Sequence, residues 1–248
     1  MNAFCCLFLL QYVPAQQTGK TPGSDLSTYQ PPVFKDTARM SKVKKLMPLV
    51  EKMYKSYAVK NRFPGLAFGV VMDGELLYAG NFGYTNFLQQ TKVSSRSLFR
   101  IASMSKSFTT MAILKLRDEG RLRLDDPASK YIPVLKNIPL LTKDAPAITI
   151  RNLMTHTAGF PEDNPWGDRQ LDITDQVFQA MLKNKISFSN VPGTTYEYSN
   201  MGFAMLGEII RVVSGKSYQE YINEQILKPL GMTHTLWEYT QAPPELLA

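Results

Sequence analysis

One stretch of this chain is patterned as paired strands, and nearly everything after it is patterned as helix. Leu66 to Met72 and Glu75 to Tyr78 are apolar runs flanking Asp73-Gly74, a dipeptide whose tolerance of positive φ suits the tight turn of a β-hairpin. Two strands alone bury too little apolar surface to be stable in water, so the hairpin needs further strands or a covering helix. A helix is predicted just before it. Met40, Val43, Leu46, Met47, Val50, Met53, Tyr54 and Tyr57 recur at helical spacing, with Pro48 breaking the run or opening its second half and Arg62-Phe63-Pro64-Gly65 ending it.

After the hairpin the period changes. Met104, Phe108, Met111, Ile113 and Leu114 mark a helix stopped by Gly120, and Thr149 opens a short one that ends before Gly159. Ile173, Val177, Met181 and Leu182 mark a third. Phe203, Leu206, Ile209, Ile210 and Val213 mark a fourth, closed by Gly215. The capping box Ser217-Tyr218-Gln219-Glu220 starts a fifth, which stops at Pro229. No internal repeat is present. The order of helix, hairpin and helices defines an α+β chain.

Composition narrows the function classes. At 248 residues, 44% hydrophobic and 20% charged, the chain can build a real core rather than remain disordered. The net charge of +7 is dispersed, and its densest cluster, Lys42, Lys44, Lys45, Lys52, Lys55 and Lys60, lies at helical spacing among apolar residues. That is a solvated helix face rather than a nucleic-acid footprint. Cys5 and Cys6 are adjacent, and His156 and His234 stand far apart with no ligand spacing, so neither a metal nor another cofactor is expected. The longest apolar run, Ala3 to Leu10, is eight residues, against about 20 for a membrane-spanning helix. Met1 to Ala15 instead has the outline of a secretory signal, with an apolar centre and Val13-Pro14-Ala15 at the cleavage-type positions. No Lys or Arg precedes Lys20, and an ordinary frayed N-terminus is the alternative. Export to a periplasm or the exterior follows from the signal reading, and Gln16 to Asp36 then acts as a tether.

Two constellations carry chemistry. Ser103 and Lys106 stand three apart at the start of a predicted helix, hence on one face, where the amine can take or share the serine proton. The helix start adds backbone N–H groups aimed at developing negative charge. Spacing alone proves little, because Ser41 and Lys44 repeat it in a plainly basic helix. Ser103 differs in context: Phe99 to Ala102 lead into its helix, and Met104, Phe108 and Met111 are expected to bury it. A capping serine beside a surface lysine is the alternative. The second constellation is Tyr198-Ser199-Asn200, in a loop entering the fourth helix, where a phenol can move protons and an amide can orient a carbonyl or the lysine. Tyr84-Thr85-Asn86, trailing the hairpin, and Tyr221-Ile222-Asn223, inside a helix, are its controls. Here the alternative is Asn200 as an N-cap with Tyr198 as packing.

Together these motifs resemble the serine β-lactamase-related hydrolases, the group of class C β-lactamases, D-Ala-D-Ala carboxypeptidases, D-aminopeptidases and some esterases. The likeness rests on Phe99 to Pro133 with Ser103, Lys106 and Glu119 to Pro127, on Ile148 to Gly159, and on Tyr196 to Gly231, and it covers nearly everything from Phe63 to Thr235. It implies a β-lactamase/transpeptidase-like fold over residues 37–248, with the helix and hairpin in 37–98 and a mainly helical part in 99–235. It also implies an acyl-enzyme hydrolase acting on a small-molecule or peptide substrate. Ser103 attacks a carbonyl, Lys106 and Tyr198 manage the proton, and Asn200 helps hold substrate and lysine. His156 is then a structural loop residue, and Ser105, Thr157 and Gly159 serve packing and turns. Trp166, within Asn164 to Asp168, is an ordinary loop aromatic or a cleft contact.

The chain departs from the family in one respect. Members carry a third motif, Lys or His, a small residue, then Gly, on a later strand that supplies one of two oxyanion donors. No such triplet follows Asn200; Val213-Ser214-Gly215 is a helix end. Loss of one donor costs other enzymes about 3 to 4 kcal/mol. The expectation is therefore an impaired fragment of a longer reading frame, lacking its C-terminal sheet strands and exposing a strand edge and an apolar face. A non-catalytic binder or pseudoenzyme of the same fold is the competing function.

Overall fold

A computed structural model describes residues 33–163, 167, 173–184 and 186–248, together with the backbone of Cys5–Cys6. The signal and tether readings of residues 1–32 and the position of Trp166 lie outside the described residues, apart from the Cys5–Cys6 backbone, which pairs antiparallel with Phe99–Arg100. Two compact units are present: Ser103–Pro229, and residues 33–102 with Leu230–Ala248.

In the second unit, helices α1 (Arg39–Lys45) and α2 (Met47–Lys60) are separated at Leu46, with Pro48 in the first turn of α2, where its missing N–H costs no hydrogen bond. Strands β1 (Gly65–Met72) and β2 (Glu75–Asn86) form the hairpin. Its turn places Asp73 at φ 55° and Gly74 at φ 80°, the left-handed pair that matches the twist of the flanking strands. The sheet goes further than the sequence pattern predicts. β2 continues past Tyr78 to Asn86, and a third strand, β3 (Thr91–Lys92), pairs with its far end, so Tyr84-Thr85-Asn86 lies within a strand rather than trailing one. Two residues of strand are too few to leave a periodic signal.

Helix α2 covers part of this sheet through a Tyr54–Phe68 ring stack at 4.3 Å and a hydrogen bond from Tyr78 Oη to Glu51 Oε2 at 2.7 Å. Among the described residues β1 is an open edge of the sheet. Only Met47 and Ala58 of α2 are buried, whereas Leu46, Leu49, Met53, Tyr57 and Val59 stand exposed. The amphipathic face read from the sequence is thus largely uncovered here. Leu98 and Ala242 form a small core with Leu236, Leu246 and Leu247.

The other unit is built on helix. Past strand β4 (Phe99–Arg100), which belongs to the unit just described, a 3₁₀ turn, Ala102–Met104, runs into α3 (Ser105–Asp118). Next come α4 (Ile150–Met154), α5 (Asp175–Lys183), α6 (Asn200–Ser214) and α7 (Tyr218–Ile222), which runs on into a π turn at Asn223–Leu227. α6 is the central element. Phe203 to Leu206, Ile209 and Ile210 are buried, and it packs against α3, α4 and α7. Full burial of each large aliphatic side chain contributes about 1.5 to 3 kcal/mol.

Both ends of α6 are fixed locally. The Ser199 hydroxyl accepts from Gly202 N–H, and Gly215 takes the left-handed conformation at φ 74°. The buried face of α3 differs from the expected one. Phe108, Thr109, Ala112, Ile113 and Leu116 are buried, while Met104 and Met111 are exposed, because small residues permit the close approach to α6. Behind the site, Thr109 Oγ1 and Tyr218 Oη share a hydrogen bond of 2.7 Å, and burial pushes the Tyr218 phenol up to about 12.

After α3 the chain is pinned at Asp126. Its Oδ2 accepts from Tyr131 Oη at 2.6 Å, Lys130 Nζ at 2.9 Å and Arg123 N–H at 3.0 Å. The Tyr131 hydrogen bond, followed by those from Lys130 and Arg123, holds the carboxyl at about 2 against burial, which opposes ionisation. The folded value lies below the ordinary 3.8, so this stabilisation is complete above about 4 and is lost as pH falls through about 2. Asp126→Asn is expected to lower stability by about 1 to 2 kcal/mol at neutral pH. The gap between variant and parent should close on acidification, as read from urea unfolding at a series of pH values.

Candidate active site

The chain enters α3 through a strained residue. Ala102 sits at φ 43°, a left-handed conformation costly for a residue with a Cβ, and it turns the backbone so that Ser103 falls on the exposed first turn of the 3₁₀ segment. Ser103 is therefore not the protected serine expected from a Met104 and Met111 cover. Lys106, on the first turn of α3, is half-buried. From the other side, Tyr198 precedes the extended N-cap Ser199, and Asn200 is the first residue of α6.

These four side chains converge. Ser103 Oγ and Tyr198 Oη are 2.5 Å apart. Lys106 Nζ donates to Tyr198 Oη at 2.6 Å, to Asn200 Oδ1 at 2.6 Å and to Ser103 Oγ at 3.1 Å. The ammonium has three N–H donors, and each has an acceptor. It also lies 4.7 Å from the Tyr198 ring centroid and 5.5 Å from that of Phe203, where aromatic faces favour a cation. The control motifs do nothing comparable. Ser41 Oγ donates to the Ala38 carbonyl on exposed α1, and Tyr84 and Tyr221 lie in β2 and α7. Asn200 is not the N-cap of α6, because Ser199 holds that place.

His156, at φ 57° in the loop after α4, braces the phenol. Its ring stacks on Tyr198 at 4.7 Å, and its Nδ1 accepts from Ser199 N–H at 3.0 Å, which assigns the imidazole proton to Nε2. Burial, then the nearby Lys106 charge, lowers its pKa, while Asp163 opposes the shift. Thr157 and Gly159 serve the loop. The Thr157 carbonyl accepts from Gly193 N–H at 2.7 Å, and Gly159, at φ 86°, lies so close to the Asn190 carbonyl that a Cβ would be 2.2 Å from its oxygen. Ser105 contributes its carbonyl to Thr109 Oγ1 at 3.4 Å. Among the described residues no cluster of three or more His, Cys, Asp or Glu is placed to hold a metal ion.

One residue near the site escapes the sequence reading, and a second lies in the Asn164 to Asp168 segment read there only as a possible cleft edge. The Asp163 carboxylate accepts from the residues that open α6, and Gly167 lies against the Asn200 amide. Contacts made more than thirty residues away leave no local signal.

With this geometry established, the beta-lactamase family model matches residues 47–248. The chain belongs to the beta-lactamase family. Among its relatives, Protein flp of Staphylococcus aureus strain N315 is 35% identical over 198 residues, covering 77% of this chain and 38% of that protein. The D-alanyl-D-alanine-carboxypeptidase/endopeptidase AmpH of Escherichia coli K12 is 30% identical over 221 residues, covering 84% and 56%. A class C beta-lactamase structure aligns with TM-score 0.65 at 29% identity, covering 80% of this chain and 52% of the other. The octameric penicillin-binding protein homologue from Pyrococcus abyssi aligns with TM-score 0.62 at 32% identity, covering 75% and 43%.

The fold is thus β-lactamase/transpeptidase-like. The chain spans about 38% of the length of Protein flp and 56% of that of AmpH. No helix among the described residues is long and apolar enough to cross a membrane.

The His156 tautomer gives a pH test. A value lowered below the ordinary 6.5 favours the neutral ring in the folded state, so its stabilisation is complete above about 6.5 and is lost as pH falls through that value toward the folded midpoint. NMR of the imidazole is expected to give a midpoint below 6.5. In His156→Gln, whose amide oxygen can still accept from Ser199, that part of the acid dependence of unfolding should vanish.

Proposed function

We propose that this chain carries the catalytic half of a serine hydrolase that works through an acyl-enzyme on an amide, β-lactam or ester. The observation that carries the reading is the closed triangle of Ser103 Oγ, Tyr198 Oη and Lys106 Nζ, with sides of 2.5, 2.6 and 3.1 Å. A serine hydroxyl is a weak nucleophile until a neighbouring group accepts its proton. Here it faces two oriented partners at hydrogen-bond distance.

In this reading Tyr198 reacts as the phenolate, held by the adjacent Lys106 ammonium: Ser103 Oγ attacks the carbonyl carbon, its proton passes to Tyr198 Oη, and the negative charge moves from the phenolate to the new oxyanion. The backbone N–H of Ser103 faces the new oxyanion. When the tetrahedral species collapses, the bond to the leaving group breaks and Tyr198 returns the proton to that group. Water then attacks the ester on Ser103, giving up a proton along the same route, and the acid product leaves with Oγ restored. In this reading Asn200 Oδ1 fixes Lys106, and the residue helps hold the substrate. No metal or other cofactor enters any step.

The relatives named for carboxypeptidase/endopeptidase and β-lactamase activity support acyl compounds as the substrate class. The sequence has no Lys or His, small residue, Gly triplet after Asn200, which supports slow turnover by these 248 residues alone. An exported location is proposed from the Met1 to Ala15 pattern.

Intact-mass spectrometry after incubation with a penicillin, and separately with an activated p-nitrophenyl ester, tests the reading. An adduct on Ser103 is expected, absent in Ser103→Ala and formed about 10²- to 10⁴-fold more slowly in Tyr198→Phe and Lys106→Ala. An adduct that survives Ser103→Ala would overturn the nucleophile assignment. A folded chain that takes up neither reagent would favour a non-catalytic binder.

A further inference from the structure

Asp163 takes part in none of the steps above, yet its carboxylate is spent entirely on the start of α6. Oδ2 accepts from Ser199 Oγ at 2.8 Å and from Met201 N–H at 2.9 Å, and Oδ1 accepts from Asn200 N–H at 2.5 Å. Ser199 Oγ is meanwhile the acceptor that caps Gly202 N–H at 3.0 Å, so its proton is directed to Asp163. The main chain of the same residue closes the other side. Asp163 C=O accepts from Gly167 N–H at 3.0 Å, and Gly167 approaches the Asn200 amide so closely that a Cβ would lie 2.4 Å from Nδ2 and 2.7 Å from Cγ. Asn200 is therefore held at its backbone by the Asp163 carboxylate and hemmed at its side chain by a glycine that the Asp163 carbonyl fixes. Its Oδ1 is the atom that receives Lys106 Nζ at 2.6 Å.

We propose that Asp163 is a positioning residue for acyl transfer: by anchoring Ser199, Asn200 and Met201 it sets Asn200 Oδ1 against Lys106, and so sets the direction from which Lys106 meets Ser103 and Tyr198. For the reaction itself this rests on the hydrolase reading. The chemistry of the site calls for a carboxylate. Three donors converge on two oxygens at the positive end of a helix of 15 residues, where an anion is favoured. A carboxamide of the same size offers one oxygen and turns an NH₂ toward donors it cannot satisfy. Shifts of about 1 Å in a reacting group cost rates of order a hundredfold, so a small tilt of Asn200 is enough to matter.

The test compares the 248-residue chain with Asp163→Asn and Asp163→Glu, using a p-nitrophenyl ester for steady-state kinetics and hydrogen exchange for individual amides. In Asp163→Asn, kcat is expected to fall about 10- to 100-fold with KM changed by less than about threefold. Asp163→Glu, which keeps both oxygens, should recover part of the loss. Exchange protection should fall at Asn200 and Met201 and persist at Ile209 and Ile210. An unchanged kcat overturns the proposal, and so does a loss of protection reaching Ile209 and Ile210, which would mean that the whole helix had loosened. Should the parent chain fail to acylate Ser103, the hydrolase reading falls by itself. The anchoring is then judged by exchange alone, and unchanged protection at Asn200 and Met201 in Asp163→Asn overturns it.

Discussion

The ammonium of Lys106 is the tie on which the site depends. Its three donors reach Ser103 on its own segment and Tyr198 and Asn200 on another, so one side chain joins α3 to the start of α6 at the point where chemistry is proposed. A charge half removed from water needs its donors satisfied, and these three oxygens do so. The apolar seam between α3 and α6, with Ala112, Ile113 and Leu116 facing the buried side chains of α6, sets the spacing that lets the tie close. Packing and proton handling are therefore one problem. A shift at the seam would lengthen contacts of 2.5 and 2.6 Å.

The segment from His156 to Asp163 frames Tyr198-Ser199-Asn200 from two directions. A neutral imidazole takes the Ser199 N–H, and a carboxylate takes the next two backbone donors together with the Ser199 hydroxyl. The first residues of a helix carry N–H groups with no partner inside it, and here side chains more than thirty residues away supply that partnership. Satisfying these donors and aiming Asn200 are accomplished by the same bonds.

What could be read from the sequence was what is local. The Asp73-Gly74 turn, the Ser217 and Glu220 capping box and the Gly215 stop each depend on residues within a few positions, and all are present. The four proposed site residues were reached through their motifs and the resemblance, because no pattern within one element brings residues 103 and 198 together. Asp163 stayed hidden for that reason: its partners are distant, and it belongs to no periodic run; Gly167 lay within the Asn164 to Asp168 segment read as a possible cleft edge, but its approach to Asn200 had no local signal. The face of α3 was misread through its methionines. Thr109 and Ala112 line the buried side by being small, a property that a hydrophobicity pattern does not register. The third strand, Thr91–Lys92, was too short to announce itself.

The bond between Thr109 and Tyr218 gives α3 a rear anchor unlike the one in front. A phenol is uncharged in acid, and burial that pushes this one up to about 12 keeps it uncharged into alkali as well, so this bond does not respond to acidification. The loop in front hangs on an imidazole that must stay uncharged to accept from Ser199. Acid therefore bears on the two anchors differently: protonating His156 would remove the acceptor of the Ser199 N–H, whereas the Thr109–Tyr218 bond at the rear contains no group that acid ionises.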